Sequence, residues 1–144
     1  MLLLDVNVLV YAFRKDSPHH KEIRIWFDEI TEADEVFGVS DLVFSGLMRI
    51  VTHPRVFKVP SKMAEVISFI EKIREFPNFL LAIPSERHWS IFVGLCRSSG
   101  IKGNLVPDAY HAATAIEVGA TWISTDRDYS RFSGLSWKHP LIKP

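Results

Sequence analysis

One cysteine, Cys96, is all the sequence holds, which excludes an intramolecular disulfide and fits a reducing, cytoplasmic setting. Net charge is absent too: 17 basic side chains balance 17 acidic ones. Bulk electrostatics therefore draw the chain to neither membrane nor nucleic acid, and any polyanion must be met by a local basic patch. No apolar run approaches the ~20 residues that span a bilayer. The opening MLLLD lacks the basic start and longer apolar stretch of a signal peptide, so no membrane association or export is expected. Internal repeats and low-complexity linkers are also missing. What remains is a chain of 144 residues, 47% hydrophobic and 12% aromatic, enough for one globular domain over 1–144 with a single core.

Strands and helices alternate along it. Leu2 to Asp5 reads as a short buried strand running into a helix over Val6 to Phe13. Ser17-Pro18 reads as a cap and first helical position, ahead of Ile23, Trp26, Phe27 and Ile30 at i, i+3, i+4, i+7; this helix ends near Glu32. Val36 to Val39 is a second strand, after which Ser40 caps a helix carrying Val43, Leu47, Ile50 and Val51. Pro60-Ser61 opens another, with Met63, Val66, Ile67 and Ile70 on one face. Phe79 to Ile83 is a third strand, and Pro84-Ser85 starts a helix with Trp89, Phe92, Val93 and Cys96, ended by Gly100. Pro107 suits a first helical turn, Ala109, Ala112, Ala113 and Ile116 form a buried stripe, and Gly119 is a left-handed cap. Thr121 to Ser124 is a fourth strand and Leu135 to Trp137 a short final one, before a loose tail with Pro140 and Pro144. Short strands, apolar throughout and separated by helices, imply a parallel sheet covered on both faces, an α/β/α sandwich.

In an open parallel sheet the ligand crevice lies beyond the carboxyl ends of the strands. Asp5 closes the first strand, Asp126 follows the fourth, and Asp108 sits in the first turn of the helix leading into it. Each has a plainer role as well, since acids cap helices, favour helix N-termini and form turns. Together they make an expensive cluster: two like charges 4 Å apart repel by roughly 4 kcal/mol at an effective dielectric of 20. A hard divalent cation removes that conflict. Magnesium takes oxygen ligands, usually through one or two carboxylates plus waters and substrate phosphate, and supports in-line displacement at phosphorus.

DVNVLVYA at 5–12, the helix after the second strand, VPDAYHAA at 106–113 and WISTDRDYSRF at 122–132 resemble the PIN-domain ribonucleases, in particular the VapC-type toxins of bacterial toxin–antitoxin pairs. The resemblance covers essentially the whole chain. It implies a PIN-like three-layer sandwich around a four- or five-stranded parallel sheet and a magnesium- or manganese-dependent endoribonuclease acting on RNA. It also implies a homodimer and a small VapB-type antitoxin that blocks the site. Asp5, Asp108 and Asp126 match the family's first, third and fourth acidic positions and are the implied catalytic and metal-binding residues. Asp128 stands in the same turn as a possible assistant, and Asn7 can orient Asp5 or sit exposed at the helix start.

One position departs from the pattern. The family usually carries a Glu on the helix after the second strand, a few residues before a basic residue, where SDLVFSGLMRIVTHPRVF at 40–57 has Ser45 and Gly46. Asp41, Ser45 and Arg49 are four apart and share a helix face, so Asp41 either substitutes for the Glu or is an ordinary helix-start charge. If Gly46 faces the cleft, its missing side chain leaves room for an RNA sugar or an antitoxin side chain. Arg49 reads as a phosphate clamp or a partner for Asp41, and Arg127 beside the last acid as a second phosphate contact. His111 reads as a packing or hydrogen-bonding residue, and no His/Cys cluster has zinc spacing. Two other classes stay open: a PIN-fold binding module weakened or inactivated by the lost Glu, and an aspartate-dependent phosphatase. The latter wants a second acid two residues after Asp5, where Asn7 stands.

Overall fold

The structure, a computed structural model, describes residues 1–98 and 100–143. The elements run β1 (Leu2–Leu4), α1 (Val6–Phe13), α2 (His20–Glu32), β2 (Phe37–Ser40), α3 (Asp41–Val51), α4 (Met63–Glu75), β3 (Phe79–Ala82), α5 (His88–Arg97), α6 (Leu105–Val118), β4 (Thr121–Ile123) and β5 (Ser136–Lys138), with a 3-10 turn at Arg127–Arg131. The five strands form one parallel sheet in the order β3-β2-β1-β4-β5. Pairs such as Leu2 with Phe37 and Leu4 with Ile123 set the register.

Chain order explains the layers. From β1 the chain steps outward through β2 to β3 by way of α1 to α4, then returns past β1 to β4 and β5 by way of α5 and α6. Right-handed crossovers put helices from opposite directions of travel on opposite faces. Accordingly α1 packs on α2 and α3, α3 on α4, and α5 on α6. The reversal of strand order falls between β1 and β4, where α/β sheets open a crevice.

The core is the apolar filling between these layers. Leu3, Leu4, Val8, Leu9, Val39, Val43, Leu47 and Val51 are buried, as are Ala109, Ala112 and Ala113 of α6. Close approach dictates one glycine: a Cβ on Gly38 would lie 2.7 Å from the Leu3 side chain and 2.9 Å from the Leu80 carbonyl oxygen. At the end of α6, Gly119 takes φ 68° as a left-handed cap, and Ser40 Oγ accepts the Val43 N–H at 3.1 Å to cap α3.

Several expectations shift. Ser17-Pro18 does not start α2: His19 precedes the helix in a left-handed conformation with no side-chain cap. Ser17 Oγ instead donates to the Arg14 and Tyr11 carbonyls, which folds the turn back onto α1. Pro84-Ser85 likewise precedes α5, which begins at His88; the Glu117 carboxylate from α6 receives the Ser85 and Arg87 N–H groups at 2.8 and 2.9 Å. Met63, Ile67 and Trp89 point outward, because α4 is buried along Val66, Ile70 and Ile73 and α5 along His88 and Leu95. Trp137 belongs to β5 and donates to the Ser124 carbonyl at 3.1 Å. Pro144 lies outside the described residues.

Candidate active site

Asp5 is the first residue beyond β1 and the N-cap of α1, so it fills the plainer role and still faces the crevice. It is only 6% exposed, and its carboxylate accepts three hydrogen bonds, one on Oδ1 and two on Oδ2. Oδ1 accepts the Val6 N–H at 2.7 Å, while Oδ2 accepts from Ser124 Oγ at 2.6 Å and Asn7 Nδ2 at 3.0 Å. Asn7 also donates to Ser124 Oγ at 2.9 Å and accepts the Thr125 N–H at 3.1 Å. Ser124 Oγ accepts the Asp126 N–H at 3.0 Å. Ser124 thus ties the ends of β1 and β4 together, a role with no signal in the linear sequence because its partner Asp5 stands 119 residues away.

Asp5, Asp108 and Asp126 line a single open cleft of about 550 Å³ together with Asn7, Arg49, His111 and Tyr129. Burial pushes Asp5 up to about 6, against hydrogen bonds from Ser124 and Val6 that pull it down, and the charges of Asp108 and Asp126 push further up. Asp108 is also raised, first by burial and then by the Asp126 and Asp128 charges, with the Tyr129 hydroxyl opposing at 3.3 Å. Mutual elevation is what carboxylates sharing one cavity show. Desolvation and the neighbouring acids drive the Tyr129 phenol far above its ordinary range, so it acts only as a donor. His111 stacks on Trp122 with ring centroids 5.3 Å apart, and burial lowers it to about 4, with the His88 charge adding to the effect. It lines the cleft as a buried, neutral imidazole, in keeping with a packing role.

The remaining predicted residues separate. Arg49, in the last turn of α3, lines the cleft. Asp41 does not: it lies exposed, 3.6 Å from Arg74 of α4, so it pairs with neither Arg49 nor the acids. Ser45 borders a separate groove between α3 and α4 with Met48 and Ile67. Gly46 faces α1, where an added Cβ would meet Val6 Cγ2 at 3.0 Å; the vacant position is filled by Val6 and offers no room to a ligand. Asp128 is exposed, 3.6 Å from Arg131, and touches the site through its charge and through its N–H, which donates to Asp126 Oδ1 at 2.9 Å. Arg127 is exposed and outside the cleft lining.

The donor set suits a hard cation, since the cleft offers carboxylate oxygens and no thiolate. Among the described residues no three His, Cys, Asp or Glu side chains stand close enough to hold an ion by themselves. Magnesium needs only one or two carboxylates, completing its shell with water and phosphate.

The PIN domain family matches residues 2–135. Ribonuclease VapC25 and Ribonuclease VapC31, both of Mycobacterium tuberculosis, are 38% and 39% identical over 142 residues, covering 99% of this chain and all of theirs. Among solved structures, VapBC2 from Rickettsia felis bound to a promoter DNA fragment superposes with a TM-score of 0.69 at 19% identity, covering 96% of this chain and 97% of the other. VapC20 of M. tuberculosis, a sarcin-ricin loop cleaving toxin, gives 0.65 at 13%, covering 94% and 99%. At those identities the structures speak for the fold, while the family match and the curated relatives carry kinship: the chain belongs to the PIN-domain family, among the VapC ribonucleases.

Proposed function

We propose that this chain is an endoribonuclease, the toxin of a VapBC-type toxin–antitoxin pair, and that Asp5, Asp108 and Asp126 carry its chemistry. The observation that carries the reading is the gathering of these three acids in one cleft at the strand-order reversal, with Asp5 and Asp108 both held above the ordinary carboxylate range. Curated relatives of the same length named as ribonucleases support it.

A divalent cation, magnesium or manganese, bound through these carboxylates and water would relieve their repulsion and supply a Lewis acid at the scissile phosphate. The protein's own part is to hold the acids. Ser124 and Asn7 fix Asp5, Tyr129 donates to Asp108, and the Ser124 and Asp128 contacts fix Asp126. Arg49 neutralises substrate phosphate at the cleft wall. In the reaction a water oxygen bonds to phosphorus as the P–O bond to the departing ribose oxygen breaks. We further propose a cytoplasmic homodimer held inactive by a VapB-type antitoxin; several neighbours in fold are VapBC structures.

One observation favours a weaker enzyme or an inactive module: α3 sends no acid into the cleft, since Asp41 pairs with Arg74 and Gly46 packs on Val6. Induced expression of the chain in a bacterium, without antitoxin, separates the readings. A ribonuclease toxin halts growth and leaves discrete new RNA ends, and both effects vanish with Asp108→Asn; an inactive module leaves RNA intact.

A further inference from the structure

The cleft has two halves. Beside the acids lies an apolar wall built by Val10, Tyr11, Pro18, Ile50, Val56 and Phe57. Charge alone cannot supply RNA affinity here. The chain is neutral, and Arg49 is the one Lys or Arg among the described cleft-lining residues, so phosphate contacts and their counterion release are few.

The wall is held in place. Residues 52–62, which join α3 to α4, form no helix or strand, yet Arg14 at the end of α1 pins them. Its Nη1 donates to the Val59 carbonyl at 2.8 Å and to Ser61 Oγ at 2.9 Å, while Nε and Nη2 grip the Asp16 carboxylate. The guanidinium carbon lies 4.1 Å from the Phe57 ring centroid. Phe57 lines the cleft and Arg14 does not, so the guanidinium holds the ring without itself occupying the cleft. A ring fixed in this way loses little freedom when something stacks on it.

We propose that this wall is a nucleobase subsite. One nucleotide flanking the scissile phosphate is turned out of its stack and laid against Phe57, Val56 and Ile50, while its phosphate stays with the acids. The inference rests on the ribonuclease reading of the same cleft. Every base has a π-face, so such a wall accepts an unstacked base from a loop or single strand with little regard to identity. Val56 and Ile50 extend the contact beyond the ring. The wall therefore selects exposed, unpaired nucleotides over duplex.

The test uses the full-length chain with magnesium and a single-stranded RNA whose cleavage position has been mapped. The same strand is then made abasic at the nucleotide on either side of the cut. For the wild type, one abasic strand is expected to lose about 5- to 150-fold in kcat/KM, the range of one base–aromatic stack. For Phe57→Leu, the intact strand should fall to near the abasic rate and the abasic strand should be cut as before, which also shows that the variant is folded. Equal wild-type rates on intact and abasic strands would overturn the inference and leave the ribonuclease standing. An abasic penalty undiminished in Phe57→Leu would place base recognition elsewhere and overturn it as well. No cleavage of any strand by folded wild type would remove the ribonuclease reading and the subsite together.

Discussion

Ser124 Oγ donates to Asp5 Oδ2 at 2.6 Å and receives the Asp126 N–H at 3.0 Å. A single hydroxyl thereby sets the first and last acids of the cleft relative to each other, across the point where the sheet reverses its order.

Ser124→Ala should leave the fold intact and scatter both acids. We expect a 10- to 100-fold loss of kcat/KM, the usual cost of losing a residue that orients metal-binding groups. Stability should fall by about 1–3 kcal/mol through the unsatisfied partners. Cleavage kinetics and denaturant unfolding, run side by side, check the two.

Asp5 carries a sign. Its folded value, about 6, lies above the ordinary 3.8, so whatever stability its protonated form gives is present below 3.8 and lost as pH rises through 6. Asp5→Asn removes the titration. Without divalent ions, the variant's stability relative to wild type should therefore grow between pH 4 and 6 and then level off, gaining at most roughly 3 kcal/mol. Added magnesium should raise the wild-type Tm and leave the variant's unchanged. A pH-independent difference, measured by thermal unfolding in chelator, would contradict this account of the buried carboxylate.

Much of this was legible in the sequence. Ser40, Pro107 and Gly119 do at the helix ends what their chemistry predicts, and the acids reach one crevice because strand termini in a parallel sheet share an edge. Local pattern failed where a neighbouring element claimed the residue. His19, not Ser17-Pro18, precedes α2 because Ser17 is drawn to the α1 carbonyls. Asp41 looked available to Arg49 by helical spacing, but Arg74 of α4 claims it. Gly46 looked like an opening and proves to be the seat of Val6, since spacing gives a residue's face and not what occupies the far side.

That seat can be probed by a double-mutant cycle. Gly46→Ala gains helix propensity but presses its Cβ on Val6 Cγ2 at 3.0 Å, and overpacking of this kind costs about 1–3 kcal/mol. Combined with Val6→Ala, the clash disappears. The double variant should be more stable than the two single effects sum to, by about 1 kcal/mol in urea unfolding. Strict additivity would mean that α1 and α3 do not compete for that space.

Arg49 is expected to act on RNA binding. Arg49→Ala should raise KM, leave kcat nearly unchanged, and flatten the dependence of log affinity on log salt by about one unit of slope. Asp41→Asn, outside the cleft, should change neither.

The central claim is that this cleft cuts RNA with a divalent ion held by its acids. Purified, antitoxin-free protein is incubated with total bacterial RNA in magnesium or manganese and in chelator, beside Asp5→Asn and Asp108→Asn, and new RNA ends are mapped. The account predicts discrete fragments that require the ion and are lost in both variants. Fragments that persist in chelator, or that either variant still produces at the wild-type rate, would contradict it.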